Sequence, residues 1–513
     1  MSSESLRSKV VSGFFWLAAT KAFGQAITWV ITLVVVRLLA PQDYGLMGMA
    51  VLVNSFLLLF NELGLGAAII QKSDLSERHL TDLRALIFVV NLGLFIVLLV
   101  CAPAIGAYFR EPGLVLIVRA MGLAFIVNGI GAASGFMLSR QMAFRKKAQA
   151  EFVGNIAASV ATLGFAIAGV GVWSLVFGYL ILQIVTNALY CIYAPITLRW
   201  PSFTGNVRRS LHFGSQVALG KILWWISASA DSAVVGRVLG TAQLGYYGLA
   251  VQFASIPLQK IVSLITQVAL PSFAALQNDL VTLRRYYLKL VATTAFITFP
   301  MFFGLFLVSD SAVALLLTDK WAPIVLPLKI LCVATCLRAI ETMNTPVLLA
   351  RGRPDIPLFN SLLQAVVLPL AFFVGARGWG LSGVAIAWLV AWPILYVIVT
   401  GQTLRVLGLP VGSYLDALRH PAAGVVTMAA VVIGVRYAIP GGDSSLAGLT
   451  LVSAAGAAGY VTYHVAFDRG TLRDVVGTVK IGRARQAAAA AATASVTPLR
   501  GSEPGGAAAH ETV

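Results

Sequence analysis

Charge is what this sequence is short of. Of its 513 residues only 11% are Asp, Glu, Lys or Arg, while 58% are hydrophobic. A soluble domain carries about 25% charged residues, so this composition excludes one compact water-soluble core, whose surface would need polar cover. The natural solvent is a bilayer. Acidic residues are scarcest, 20 against 37 basic, for a net charge of +17. A nucleic-acid partner is excluded, because the basic residues stand singly or in pairs between apolar runs and form no continuous basic face. Only five histidines and four cysteines are present. Cys101, Cys191, Cys332 and Cys336 all lie in apolar runs, and no His or further Cys joins Cys332 and Cys336 to complete a metal site. Neither a Gly-rich phosphate loop nor an ATPase signature occurs, so no cofactor and no ATP-driven step is expected. The longest external loop, 310–324, carries only Asp310, Asp319 and Lys320 as charges, too little for a soluble catalytic domain.

Apolar runs are abundant instead. A spanning helix needs about 20 mostly apolar residues, and fourteen runs meet that length, at 11–38, 44–70, 84–108, 114–138, 150–169, 172–194, 211–239, 244–272, 286–309, 325–350, 356–376, 380–404, 421–439 and 446–467. The first is too long for a signal-peptide core and is read as a retained span. Gly169-Val170-Gly171 and Gly378-Trp379-Gly380 mark tight hairpins. Cytoplasmic loops collect Lys and Arg. With the N-terminus inside, the inside segments hold 25 basic residues and the outside segments only Arg37, Arg110, Arg237, Lys320, Arg377 and Arg436. One missing span would invert every later loop, so the contrast predicts an even count and both termini in the cytoplasm. Trp200, Trp321 and Trp379 fit an interfacial aromatic belt. Residues 469–513 read as a basic, then disordered, Ala-, Gly- and Pro-rich tail.

The chain also repeats itself. Val34, Val35, Arg37, Leu39, Gly45, Gly48, Ala50 and Val51 recur 200 positions later as Val234, Val235, Arg237, Leu239, Gly245, Gly248, Ala250 and Val251. The same offset places Lys21 on Lys221. Six spans separate the copies, so both enter the membrane in one orientation, as parallel repeats. The expected architecture is an all-α polytopic membrane protein with six-helix lobes at 1–200 and 201–410 and two further helices at 411–468. Two such bundles enclose a cleft, and rocking one against the other gives alternating access.

A charge near the bilayer centre costs at least about 2.5–3.5 kcal/mol and needs a partner or a wet cavity. Lys21 heads a polar stripe with Gln25, Thr28 and Thr32 at helical spacing. Lys221 is followed by Trp224 and Trp225, candidates for stacking on sugar rings. Two such lysines suit an anion held between the lobes. Arg119 and Arg338 are further candidate cations, although Arg338 and Glu341 are spaced for a local ion pair. Lys260 and Lys329 suit snorkelling to the interface. Asp231, Glu341 and Glu62 are candidates for coupling to a proton or sodium gradient.

Several runs carry a family resemblance. Arg37-Leu38-Leu39-Ala40-Pro41-Gln42-Asp43-Tyr44-Gly45-Leu46 resembles the first periplasmic turn of the polysaccharide-transport, Wzx-like flippases of the multidrug/oligosaccharidyl-lipid/polysaccharide superfamily. Glu62-Leu63-Gly64-Leu65-Gly66-Ala67-Ala68-Ile69-Ile70-Gln71, Met142-Ala143-Phe144-Arg145 and Gly169-Val170-Gly171-Val172-Trp173-Ser174-Leu175-Val176 are similar to the same family, in order, over residues 8–470. The resemblance implies a bacterial inner-membrane transporter of a polyprenyl-diphosphate-linked oligosaccharide for exopolysaccharide, capsule or O-antigen. The diphosphate would meet the cations and the polyprenyl tail would stay in lipid, beside polymerase and export machinery as partners. A multidrug antiporter or a lipid II flippase of the same superfamily, and a membrane polysaccharide polymerase or ligase, are the alternatives. Short external loops and the symmetric repeat weigh against the polymerase, and the excess of intramembrane cations weighs against cationic drugs.

Overall fold

The computed structural model describes residues 24, 25, 27–61, 69, 77–196, 222, 223, 225–439 and 443–471. Backbone polar groups in hydrocarbon must be satisfied within their own segment or a closed barrel. Among the described residues the elements are helical throughout, with no strand. Nine of these helices are long and apolar enough to cross a membrane, and one bent pair adds a tenth. Apolar side chains cover the outside: Val100, Ile192, Val397 and Ile433 are all more than 60% exposed. So much uncovered apolar surface belongs to a chain solvated by lipid, and the protein is a multi-pass membrane protein.

The first half begins with α1 (Ile27–Leu38) and α2 (Pro41–Leu58), which meet at 119°. Pro41 suits the first position of α2, where no N–H is needed, and the Asp43 carboxylate accepts the Ala40 N–H at 2.9 Å. Then come α3 (Glu77–Phe109), α4 (Leu114–Arg140), α5 (Phe144–Ile167) and α6 (Trp173–Tyr193). α3 starts seven residues before the apolar run at 84. Arg84 is buried inside the helix and donates to the Ile130 carbonyl of α4 at 3.1 Å.

The second half opens with α7, residues 225–234, whose end widens into a π-helical turn, Val235–Leu239. Gly240 has φ +87°, and α8 (Thr241–Pro257) follows. A second π turn, Leu258–Val262, leads to α9 (Ser263–Ala275). α10 (Leu280–Leu316) is capped by Asp279, which accepts the Thr282 N–H at 3.1 Å. α11 (Val325–Glu341) and α12 (Asn344–Ala350) precede α13 (Asp355–Leu407). α13 has 53 residues, about 80 Å at 1.5 Å per residue, far beyond a hydrocarbon layer of about 30 Å. It breaks at Trp379 and Gly380, where Gly380 takes φ +62°, and the two arms fold back. A Cβ on Gly375 would stand 2.3 Å from the Gly383 carbonyl oxygen, so only glycine admits this hairpin. α14 (Val411–Ala438) and α15 (Leu446–Phe467) pack against α10.

The two halves touch along α2 and α8. These helices start at Pro41 and Thr241, positions related by the same 200-residue offset that aligns the sequence. A Cβ on Gly45 would lie 1.8 Å from the Thr241 carbonyl oxygen, and one on Gly245 would lie 1.9 Å from the Pro41 carbonyl oxygen. The contact is reciprocal, as an approximate two-fold axis requires.

Candidate functional site

The seam around Gly45 and Gly245 closes one end of the bundle. Arg37 donates from Nε to the Leu316 carbonyl at 2.8 Å and also reaches the Leu315 carbonyl, both at the end of α10. In the opposite direction Lys320 Nζ donates to the carbonyls of Arg37 at 2.6 Å and Leu39 at 2.8 Å, at the end of α1. Two helix C-termini, each carrying partial negative charge, are thus capped by a cation from the other half. Arg237, the repeat partner of Arg37, lies 5.4 Å from the Tyr108 ring at the end of α3. Trp321 was expected in an interfacial belt. It is instead fully buried in this seam, donating to the Val36 carbonyl at 3.0 Å and meeting Tyr44 and Tyr246 edge-on. The indole N–H found a free carbonyl at the end of α1, and the ring filled the gap between halves.

Deeper in the second half lies a polar cluster. Asp231 on α7 is 4% exposed and accepts the Tyr247 hydroxyl at 2.8 Å. Tyr247 on α8 in turn accepts the Trp388 indole N–H at 2.8 Å. The Arg338 guanidinium rests 5.7 Å from the Trp388 ring and 5.4 Å from the Trp392 ring. The local pair expected from the spacing of Arg338 and Glu341 does not form within salt-bridge distance. Glu341 accepts from Gln364 at 3.1 Å, while its other oxygen is buried without a hydrogen-bond partner. Beside this cluster Tyr287 donates to Asn344 at 2.6 Å, and Asn344 donates to Thr400 at 3.2 Å.

The first half also joins its helices through neutral side chains. Asn54 donates to the Tyr179 hydroxyl at 2.7 Å, and Asn187 donates to Asn128 at 3.0 Å. Trp225 joins the halves: its indole N–H donates to Ser55 on α2 at 3.0 Å and its ring packs on Phe56.

Asp231, Arg338 and Glu341 are therefore brought together. Arg119 is not; it is exposed, one turn into α4. Gln25 is exposed and Thr28 half-buried on the α1 side. Lys329 pairs with Asp310 at 2.6 Å. Lys21, Lys221, Trp224, Glu62 and Trp200 lie outside the described residues, as does the side chain of Lys260. Tyr247, Trp388, Trp392 and Gln364 were missed in the sequence, because uncharged aromatics in apolar runs carry no mark of a polar partner. A further polar stripe on α5, Asn155, Ser159 and Thr162, was legible at helical spacing and overlooked for want of a charge.

Known proteins share this architecture. The family described as polysaccharide biosynthesis protein matches residues 34–326, more than half of the chain. The chain belongs to this family. Among curated relatives, it is 28% identical over 382 residues to the teichuronic acid biosynthesis protein TuaB of Bacillus subtilis strain 168, covering 73% of this chain and 78% of TuaB. It is also 28% identical over 398 residues to the lipopolysaccharide biosynthesis protein WzxC of Escherichia coli K12, covering 75% and 79%. Among solved structures, the lipid II flippase MurJ in an inward closed conformation superposes with a TM-score of 0.69 at 15% identity, over 88% of this chain and 99% of MurJ. At that identity the likeness establishes the helical fold alone.

Proposed function

We propose that the protein is a flippase that moves a polyprenyl-diphosphate-linked oligosaccharide across the bacterial inner membrane for surface polysaccharide synthesis. The observation that carries this is the seam: repeat-related helices α2 and α8 meet backbone to backbone through Gly45 and Gly245, and cations latch that end. Halves joined in this way part by rocking, which is what alternating access needs. Membership of a polysaccharide biosynthesis family supports the substrate class, as do relatives named for teichuronic acid and lipopolysaccharide synthesis.

In this proposal the latched end faces outward, fourteen spans place both termini in the cytoplasm, and the lobes are 1–200 and 201–410 with two helices at 411–468. Lys21 and Lys221 hold the diphosphate, with Arg338 as a further cation, and Gln25, Thr28, Trp224 and Trp225 line the sugar path. Asp231, Glu341 and Glu62 couple movement to a proton or sodium gradient, and a polymerase with its export machinery takes the product. The alternative substrate is lipid II, which also carries a diphosphate and whose flippase MurJ shares the fold.

The test is reconstitution of the full chain into liposomes containing either carrier, with movement between leaflets read by an external glycosidase or by accessibility of the head group. Protein-dependent movement of the oligosaccharide carrier, lost in Lys21→Ala and Lys221→Ala, is expected. Movement of lipid II alone would reassign the substrate, and movement of neither, with and without ion gradients, would sink the transport role.

A further inference from the structure

A cavity of about 260 Å³ opens between α1, α5 and α6 and is separate from the ionic cluster of the second half. Its polar lining is Thr32 on α1, Tyr44 on α2, Asn155, Ser159 and Thr162 on α5, Tyr179 on α6, and Gln252, which reaches in from α8. None of the lining residues is charged. Asn155, Ser159 and Thr162 are spaced by four and three, so they share one face of α5. That face runs for about 10 Å along a membrane helix. Bare hydroxyls and amides in hydrocarbon are costly unless they meet a partner or water, and Asn155 is exposed there rather than packed away.

The donors among these groups are partly spent. Thr32 Oγ1 donates to the Thr28 carbonyl at 2.8 Å, Ser159 Oγ donates to the Asn155 carbonyl at 2.8 Å, and Asn155 Nδ2 donates to the Glu151 carbonyl at 2.7 Å. What the two hydroxyls still present to the cavity is acceptor capacity. Tyr179 already accepts from Asn54. The remaining wall is apolar, with Leu175 and Leu182 opposite Ile31 and Val35. A ligand that fits must offer hydroxyl donors along its edge and C–H groups on its face, and must carry no charge. A sugar ring is such a ligand. The volume falls below the roughly 300 Å³ at which drug-sized pockets begin, so one ring fits and a whole oligosaccharide does not.

We propose that this cavity is a saccharide subsite that takes one uncharged sugar ring of the translocated substrate. It rests on the flippase function above and adds what that function leaves open, namely where the sugar is recognised and that the recognised unit is neutral. Because Gln252 comes from the second half, the subsite is complete only while the halves are seated as they are here. A seated ring therefore reports the closed seam to the substrate side.

The experiment uses the full chain carrying Ser159→Cys in proteoliposomes, with site-resolved mass spectrometry following alkylation of the introduced thiol. The unmodified protein supplies the background from the four native cysteines. The expected result is that a polyprenyl-diphosphate oligosaccharide slows alkylation about five-fold or more, as one net hydrogen bond's worth of binding would, while bare polyprenyl diphosphate does not. Thr162→Val and Gln252→Leu are expected to raise the concentration needed for protection by a similar factor. Equal alkylation with both carriers, in a protein that still moves the oligosaccharide, overturns the subsite and leaves the flippase standing. Protection without movement keeps the subsite and rejects the flippase. A thiol protected equally by both carriers also overturns the subsite, because the lipid or diphosphate then covers it.

Discussion

Gly45 and Gly245, 200 positions apart, each lie beneath the first carbonyl of the helix that carries the other. No side chain intervenes, so a single methyl group on either must push the two halves apart. Overpacking of this kind costs about 1–3 kcal/mol. Gly45→Ala and Gly245→Ala are expected to lower the thermal unfolding midpoint by similar amounts and to open the latched end to a membrane-impermeant thiol reagent aimed at Leu39→Cys. Gly248→Ala is the control, since a Cβ there meets nothing within 4 Å. Equal behaviour of all three variants would show that the seam is not held by this contact.

Arg37 caps the end of α10, and Lys320, just beyond that helix, caps the end of α1 across the same seam. Both are largely exposed, so each cap is worth only about 0.3–1 kcal/mol. That is enough to bias a conformational balance. Arg37→Ala and Lys320→Ala are expected to raise labelling of Leu39→Cys by about two- to five-fold, with Arg37→Lys in between, because lysine keeps the charge but lacks the planar fork that reaches the Leu315 and Leu316 carbonyls from two nitrogens. Unchanged labelling in the double variant would mean that the glycine contact alone sets the closure.

How much of this was legible in the sequence depends on what decides each feature. Span positions follow from apolar length, and the last helix, Leu446–Phe467, coincides with its run. The hairpin at Gly378-Trp379-Gly380 was legible too, because glycine accepts the positive φ that a tight turn needs, as Gly380 does. α3 was misjudged because Glu77 to Arg84 is polar, yet a helix does not stop at the hydrocarbon boundary. Trp321 and Arg338 were misjudged for another reason. Spacing reports only neighbours on the same helix. The Val36 carbonyl that receives Trp321 and the indole faces that receive Arg338 come from distant elements.

The Asp231–Tyr247–Trp388 chain makes a prediction of its own. Tyr247→Phe removes one oxygen that accepts from Trp388 and donates to Asp231. Each buried group left unsatisfied costs about 1–3 kcal/mol. Asp231→Asn removes the charge but retains an acceptor for the tyrosine, so it should cost less. A double-mutant cycle on thermal stability is expected to show coupling of at least about 0.5 kcal/mol between the two positions. Strict additivity would mean that Tyr247 and Asp231 are stabilised independently.

Outside the membrane, Asp443 ties the loop between α14 and α15 to the bundle. It accepts from Ser311 on α10, and Arg436 Nη2 lies 2.7 Å from its Oδ2. The Ser311 hydroxyl first, and then the Arg436 guanidinium, hold this carboxyl below the usual carboxylate range. A group whose pKa is lower folded than unfolded stabilises the fold above its unfolded value, about 3.9 for Asp. That contribution disappears as pH falls through the folded value. Wild type and Asp443→Asn should therefore differ in thermal midpoint at pH 7 and converge as the medium is taken below about pH 4. Arg436→Gln should narrow the pH 7 difference by removing the second of the two groups that favour the anion. A gap between wild type and Asp443→Asn that stays constant from pH 7 to pH 3 would show that the carboxylate's charge contributes nothing to the tie, leaving shape and the Ser311 hydrogen bond to hold the α14–α15 loop.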